Sequence, residues 1–172
     1  LLGDQEELGI TLAMIPAKTR GIEVGSRHCP LFMAFLNGPV KGKDVFIPLD
    51  YLIGGAASAG KGWSMMMECL SVGRGISLPA LSTGTAKLSY RMTSGYVKIR
   101  EQFHVSIGCF EGIKEALARI GGLTYLCEAT RHLTASAIDQ KFKPSVATAI
   151  TKYHLTEMSR KIINDTMDIH GG

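Results

Sequence analysis

A chain of 172 residues with 45% apolar and 20% charged residues suits one globular domain or parts of two, and its composition excludes a disordered or low-complexity protein. The formal net charge of +4 is mild, and Lys and Arg are interspersed with Glu and Asp, so no basic block marks a nucleic-acid-binding arm. No apolar run reaches the length of a membrane span, and the four cysteines (Cys29, Cys69, Cys109, Cys127) lack the C-x-x-C spacing of a zinc or redox site, which leaves buried thiols in a reducing cytosol as the expectation. The chain opens on Leu1 without Met and closes on Gly171-Gly172, as a piece of a longer protein would.

In chain order, "ITLAMIPA" (residues 10–17) and "DVFIPLDYLIG" (residues 44–54) are short β-rich runs bounded by Gly and Pro, with a turn-rich stretch between them. Residues 1–55 therefore predict several antiparallel strands, too few to hold a core alone. Residues 56–61 form a linker: "GGAASAGKG" mimics a phosphate loop but lacks the full G-x-x-x-x-G-K-[ST] signature. From Gly62 the period turns helical. A first helix, kinked or closely packed near Pro79, continues at helical period through "KLSYRMTSGYVKIREQF" (residues 87–103); a second runs over residues 110–139, with Ile113, Leu117, Ile120 and Thr124 on one face. A third, opened by Pro144 and stopped by Gly171, runs to about residue 169 with a stripe of Val146, Ile150, Met158 and Ile162. The fold class is α+β, mainly α: a few antiparallel strands followed by a bundle of three long helices over residues 62–172.

The joint between the first two helices holds Arg100, Phe103 and His104. Arg100 can be a cation favoured by the helix C-terminus, with Phe103 covering the core edge. Alternatively the pair is an anion clamp, a fixed guanidinium for a phosphate beside an aromatic face for a planar ring, which describes part of a nucleotide site. Met65-Met66-Met67 reads as core packing, although flexible Met also suits an acyl tunnel. His104, His132, His154 and His170 show no metal-ligand spacing.

The pattern Y-x-x-x-R-x-Q-F followed by I-x-x-F-x-x-I, residues 96–113, resembles the acyl-CoA dehydrogenase family. "DVFIPLDYLIG" is similar to the last strand of that family's middle β-domain, "GKGWSMMMECLSVGR" to the opening of its first long C-terminal helix, and "DIHGG" to its Q-x-x-G-G turn. "NGPVKGKDVFIPLDYLIGG", "ECLSVGRGISLP" and "KYHLTE…NDTMDIHGG" resemble most the large bacterial members of fatty-acid β-oxidation. The resemblance covers essentially the whole chain and implies the end of the middle β-domain (1–55) and most of the C-terminal helical domain (62–172).

It implies FAD as cofactor, a saturated acyl-CoA of medium or long chain as substrate and a trans-2-enoyl-CoA as product. It further implies electron-transfer flavoprotein as acceptor and a homodimer or homotetramer; the expected location is cytoplasmic, with a peripheral place at the inner membrane as an option. Arg100 falls where the family pairs an arginine with the FAD pyrophosphate across a subunit interface, Phe103 where a ring packs near adenine, and Gly171 and Gly172 where the backbone approaches the cofactor. Glu111 and Asp168 stand where many members carry glutamine; both can accept from ribose hydroxyls but neither can donate as an amide. Arg74 aligns with an arginine near CoA, with Ser71 in place of a frequent aspartate. No residue qualifies as catalytic base: the usual glutamate is expected beyond Gly172, the alternative position is Gly73, and Glu68 lies six residues before Arg74. The chain alone is expected to be inactive. Two other readings are an acyl-CoA oxidase of the same architecture and a non-catalytic helical oligomerisation module.

Overall fold

The computed structural model describes residues 9–171, which fall into two compact units divided between Met67 and Glu68. In the first unit, β1 (Ile22–Val24) and β2 (Val40–Gly42) form a two-stranded antiparallel ladder with Glu23 opposite Lys41. The two runs expected to be strands are not. Residues 10–17 make only single bridges, Ile10 to Lys61 and Ala13 to Leu52, and residues 44–54 contain a 3₁₀ turn at Leu49–Tyr51. Two local features account for this: Asp44 is left-handed (φ 50°), and Pro48 has no N–H to give a ladder. Between β1 and β2, Leu31 and Phe32 are also left-handed and are 92% and 98% exposed.

The helices follow the expected order. α1 (Gly62–Val72) passes through a π-helical segment, Gly73–Ser77, into α2 (Leu78–Ile99). A hairpin of two-residue strands, β3 (Glu101–Gln102) and β4 (Val105–Ser106), turns the corner into α3 (Glu111–Asp139), and α4 (Ser145–His170) follows. No helix is long and apolar enough to cross a membrane among the described residues. The irregularity expected near Pro79 is the π segment just before it. Pro79 itself is buried in the first turn of α2, where its missing N–H is harmless. Gly75 is buried inside the π segment, and a Cβ there would stand 2.5 Å from Thr148 Cγ2, so a side chain would drive α4 away.

Contacts give the helix directions. Thr93 meets Thr166 and Tyr96 meets His170, so α2 and α4 run parallel; Lys87 meets Glu128 and Arg119 meets Asp165, so α3 is antiparallel to both. The core combines aliphatic residues (Ala86, Val97, Ile120, Leu155, Ile162, Ile169) with buried hydroxyls (Thr83, Thr93, Thr124, Thr134, Thr148). Most of these hydroxyls donate to a carbonyl three or four residues back: Thr83 to Pro79 at 2.8 Å, Thr124 to Ile120 at 2.7 Å, Thr148 to Ser145 at 2.9 Å. Each donor is thereby satisfied within its own helix and the threonine methyl is left to pack.

The stripe expected on α4 is corrected by this packing. Val146 and Ile150 are 71% and 53% exposed, and the buried seam is Thr148, Thr151, Leu155, Ser159, Ile162 and Ile169. The α3 face is as expected, with Ile120 and Thr124 buried and Ile113 and Leu117 packed at its edge. Of the cysteines only Cys127 is buried; Cys29, Cys69 and Cys109 are exposed.

Two measurements test this packing. Glu128 accepts from Arg131 at 2.9 Å and pairs with Lys87 of α2 at 2.7 Å, and these bonds hold its carboxyl at about 2 against an ordinary 4.5. A depressed folded-state value means the stabilisation is complete above about pH 4.5 and fades as pH falls toward 2. Urea midpoints of Glu128→Gln should therefore lie below wild type at neutral pH, and the gap should close through that window. Gly75→Ala should cost about 1–3 kcal/mol by overpacking, and Thr148→Ser, which removes the clashing methyl, should restore most of it in the double variant.

Candidate functional site

The corner between α2 and α3 is built from backbone upward. Arg100 ends α2: its N–H donates to the Tyr96 carbonyl at 2.8 Å, and its own carbonyl accepts from Ile107 N–H at 2.9 Å. Both sides of its peptide are pinned, while its side chain is exposed. With Gln102 opposite Val105, the hairpin has a two-residue loop, Phe103-His104, and both residues are left-handed, φ 56° and 67°. Two positive φ values mark the type I′ turn, which ordinarily selects Asn-Gly. A bulky side chain in that conformation costs about 1–2 kcal/mol. Nothing in the core recovers that cost, because Phe103 is 84% exposed; its one aromatic neighbour is Phe110, edge-on with ring centroids 6.2 Å apart. The fold holds a strained phenylalanine out at a turn tip, and such strain gathers at functional sites.

Arg100, Gln102 and Phe103 line one side of an open recess of about 340 Å³. Ile107, Phe110 and Ile113 also line it, and the end of α4 supplies Ile169 and His170. The His170 imidazole stacks on the Tyr96 ring, and its Nε2 is buried with no hydrogen-bond partner. Gly171 follows with φ 74° and ψ −174°, a conformation suited to glycine, and donates its N–H to Met167. A Cβ at Gly171 would meet nothing within 4 Å, so its backbone is open to close approach.

The structure thus gathers Arg100 and Phe103 with the end of α4. Gly172 lies outside the described residues. Glu111 is exposed at the start of α3, its carboxylate bonded to Lys114 at 2.7 Å; this bond also raises the lysine's pKa above its ordinary value. Asp168 is exposed on the last turn of α4. Neither lines the recess. Arg74 stands apart, exposed on the π segment at the far end of α2, whose 22 residues rise roughly 33 Å. Ser71 turns its hydroxyl to the Glu68 carbonyl at 2.8 Å, and Glu68 pairs with Lys143 at 2.6 Å, a bond that lowers the glutamate's pKa. Gly73 has open space around it. Among the described residues no three His, Cys, Asp or Glu side chains gather as metal ligands. Tyr96, Gln102 and His170 also line the recess; sequence reasoning assigned them no site role, although Tyr96 and Gln102 stand in the Y-x-x-x-R-x-Q-F pattern and His170 in DIHGG.

Residues 60–172 match the family model "Acyl-CoA dehydrogenase, C-terminal domain". The chain is 57% identical over 95 residues to Protein HemX of Proteus mirabilis, covering 55% of each. It is 26% identical over 166 residues to the probable acyl-CoA dehydrogenase FadE10 of Mycobacterium tuberculosis, covering 95% of this chain and 25% of the relative. An FAD complex of PigA superimposes with a TM-score of 0.84 at 22% identity, covering 99% of this chain and 44% of PigA, a likeness of fold. The chain spans from a quarter to just over half the length of these proteins. With the family model covering residues 60–172, the chain belongs to the acyl-CoA dehydrogenase family.

Proposed function

We propose that this chain is part of an FAD-dependent acyl-CoA dehydrogenase that converts saturated acyl-CoA of medium or long chain to trans-2-enoyl-CoA in fatty-acid β-oxidation. Electron-transfer flavoprotein is the proposed electron acceptor, and the protein works as a homodimer or homotetramer. The observation that carries this reading is the strained hairpin that holds Phe103 outward beside the backbone-pinned Arg100.

The residues present fit FAD. The recess of about 340 Å³ is lined by Arg100 and His170, and Gly171, which follows His170, has an open backbone. Arg100 would pair with the pyrophosphate, and its planar fork suits two oxygens at once. Phe103 would lay its face against the adenine, and the Gly171 turn would let the main chain come close. Bound FAD supplies the hydride acceptor. At the other end of α2, Arg74 would lie near the CoA part of the substrate. No carboxylate near it is free for proton abstraction among the described residues: Gly73 has no side chain and Glu68 is paired with Lys143. The base is assigned to a part of the parent protein outside this chain.

The test is FAD affinity of the full-length protein carrying this chain. Arg100→Ala should weaken it about ten- to a hundredfold, the worth of a charge-assisted hydrogen bond. Arg100→Lys should fall between, since it keeps the charge and loses the fork. Equal FAD occupancy in wild type and Arg100→Ala would overturn the assignment.

A further inference from the structure

Tyr96 joins two parts of the recess that lie far apart in sequence. Its carbonyl accepts from the Arg100 N–H at 2.8 Å, its ring stacks on His170 with centroids 4.2 Å apart and 19° between planes, and its hydroxyl donates weakly to the His170 carbonyl at 3.5 Å. His170 is the last residue of α4, and the Gly171 turn leaves from it. One side chain therefore ties the end of α2, where Arg100 projects, to the end of α4, where the glycine turn begins. Thr93 and Thr166, one turn earlier on each helix, meet at 3.4 Å, so the tie sits at the end of a parallel, closely packed seam. Nε2 of His170 engages no hydrogen bond, so the imidazole contributes here through its ring face.

We propose that Tyr96 and His170 are positioning residues of the nucleotide site: their stack holds Arg100 and the Gly171 turn in register as a single edge. The proposal rests on the FAD reading above. Neither residue needs to touch the cofactor. Without the stack the backbone bonds of Arg100 to Tyr96 and Ile107 remain, but the end of α2 is no longer tied to the end of α4, and Arg100 loses its fixed place relative to the Gly171 turn. The glycine turn loses its anchor in the same event.

The experiment is a double-mutant cycle on FAD affinity in the full-length protein, titrating apoprotein with FAD. Tyr96→Leu and His170→Ala should each weaken binding about two- to tenfold, the worth of an aromatic pair. His170→Phe keeps the ring face and should stay within about twofold of wild type on the same scale. In an Arg100→Ala background, Tyr96→Leu and His170→Ala should lose most of their effect, because only the Gly171 turn is then left for the stack to position. A general loss of folding would instead lower affinity by the same factor in both backgrounds, and that result would overturn the proposal. So would unchanged affinity in His170→Ala, a variant that keeps every helix residue but the stacking ring. If Arg100→Ala itself has no effect, the nucleotide reading fails and this inference with it, a result distinct from failure of the stack alone.

Discussion

Threonine hydroxyls that bond back to their own helices set how closely α2, α3 and α4 can meet. Thr83, Thr124 and Thr148 each donate to a carbonyl within their own turn, so a polar seam can be buried without orphaned donors. Small side chains then let the backbones approach: Ala86 and Thr124 are in contact across α2 and α3, and Gly75 lies so near Thr148 that a methyl group has no room. With larger residues along this seam the helices would stand further apart, and Tyr96 could not reach His170. The site at the end of the bundle depends on a packing distance set along its whole length.

At that end the chain turns sharply, and the turn is not made from easy residues. Phe103 and His104 occupy left-handed positions where glycine or asparagine costs less. The ladder of β3 and β4, the two bonds on the Arg100 peptide and the edge-on Phe110 together over-determine the corner, so the strain persists. The result is a backbone-pinned arginine beside an exposed ring. The surface ion pairs serve a different purpose. Arg119 grips Asp165 with two bonds and Glu128 gathers Lys87 and Arg131, linking helices without approaching the recess.

The corner was legible in the sequence because a cation and an aromatic ring in a short joint between helices are costly there, and because residues 96–113 resemble a known pattern. Helix order and limits were legible too: Gly62, Pro144 and Gly171 punctuate them by simple backbone chemistry. The inner face of α4 was legible only in part: Ile162 is buried and Met158 meets the buried Cys127, as the expected stripe has them. Hydropathy favours Val146 and Ile150, yet the seam runs through Thr148 and Thr151, because a threonine whose hydroxyl is satisfied locally packs like a small apolar residue. The strands were misplaced because β propensity takes no account of partners, and residues 44–54 lack one that pairs along their length. Tyr96 and His170 carried no shared local signal, being 74 residues apart. Their contact exists only once α2 and α4 run parallel.

The most direct measurement is an experimental structure of the full-length protein with FAD bound. The account predicts Arg100 guanidinium nitrogens at about 3 Å from pyrophosphate oxygens, the Phe103 ring against the adenine, and the Tyr96–His170 stack unchanged. A structure in which the pyrophosphate is held by other residues, with Arg100 and Phe103 turned to solvent, would contradict it.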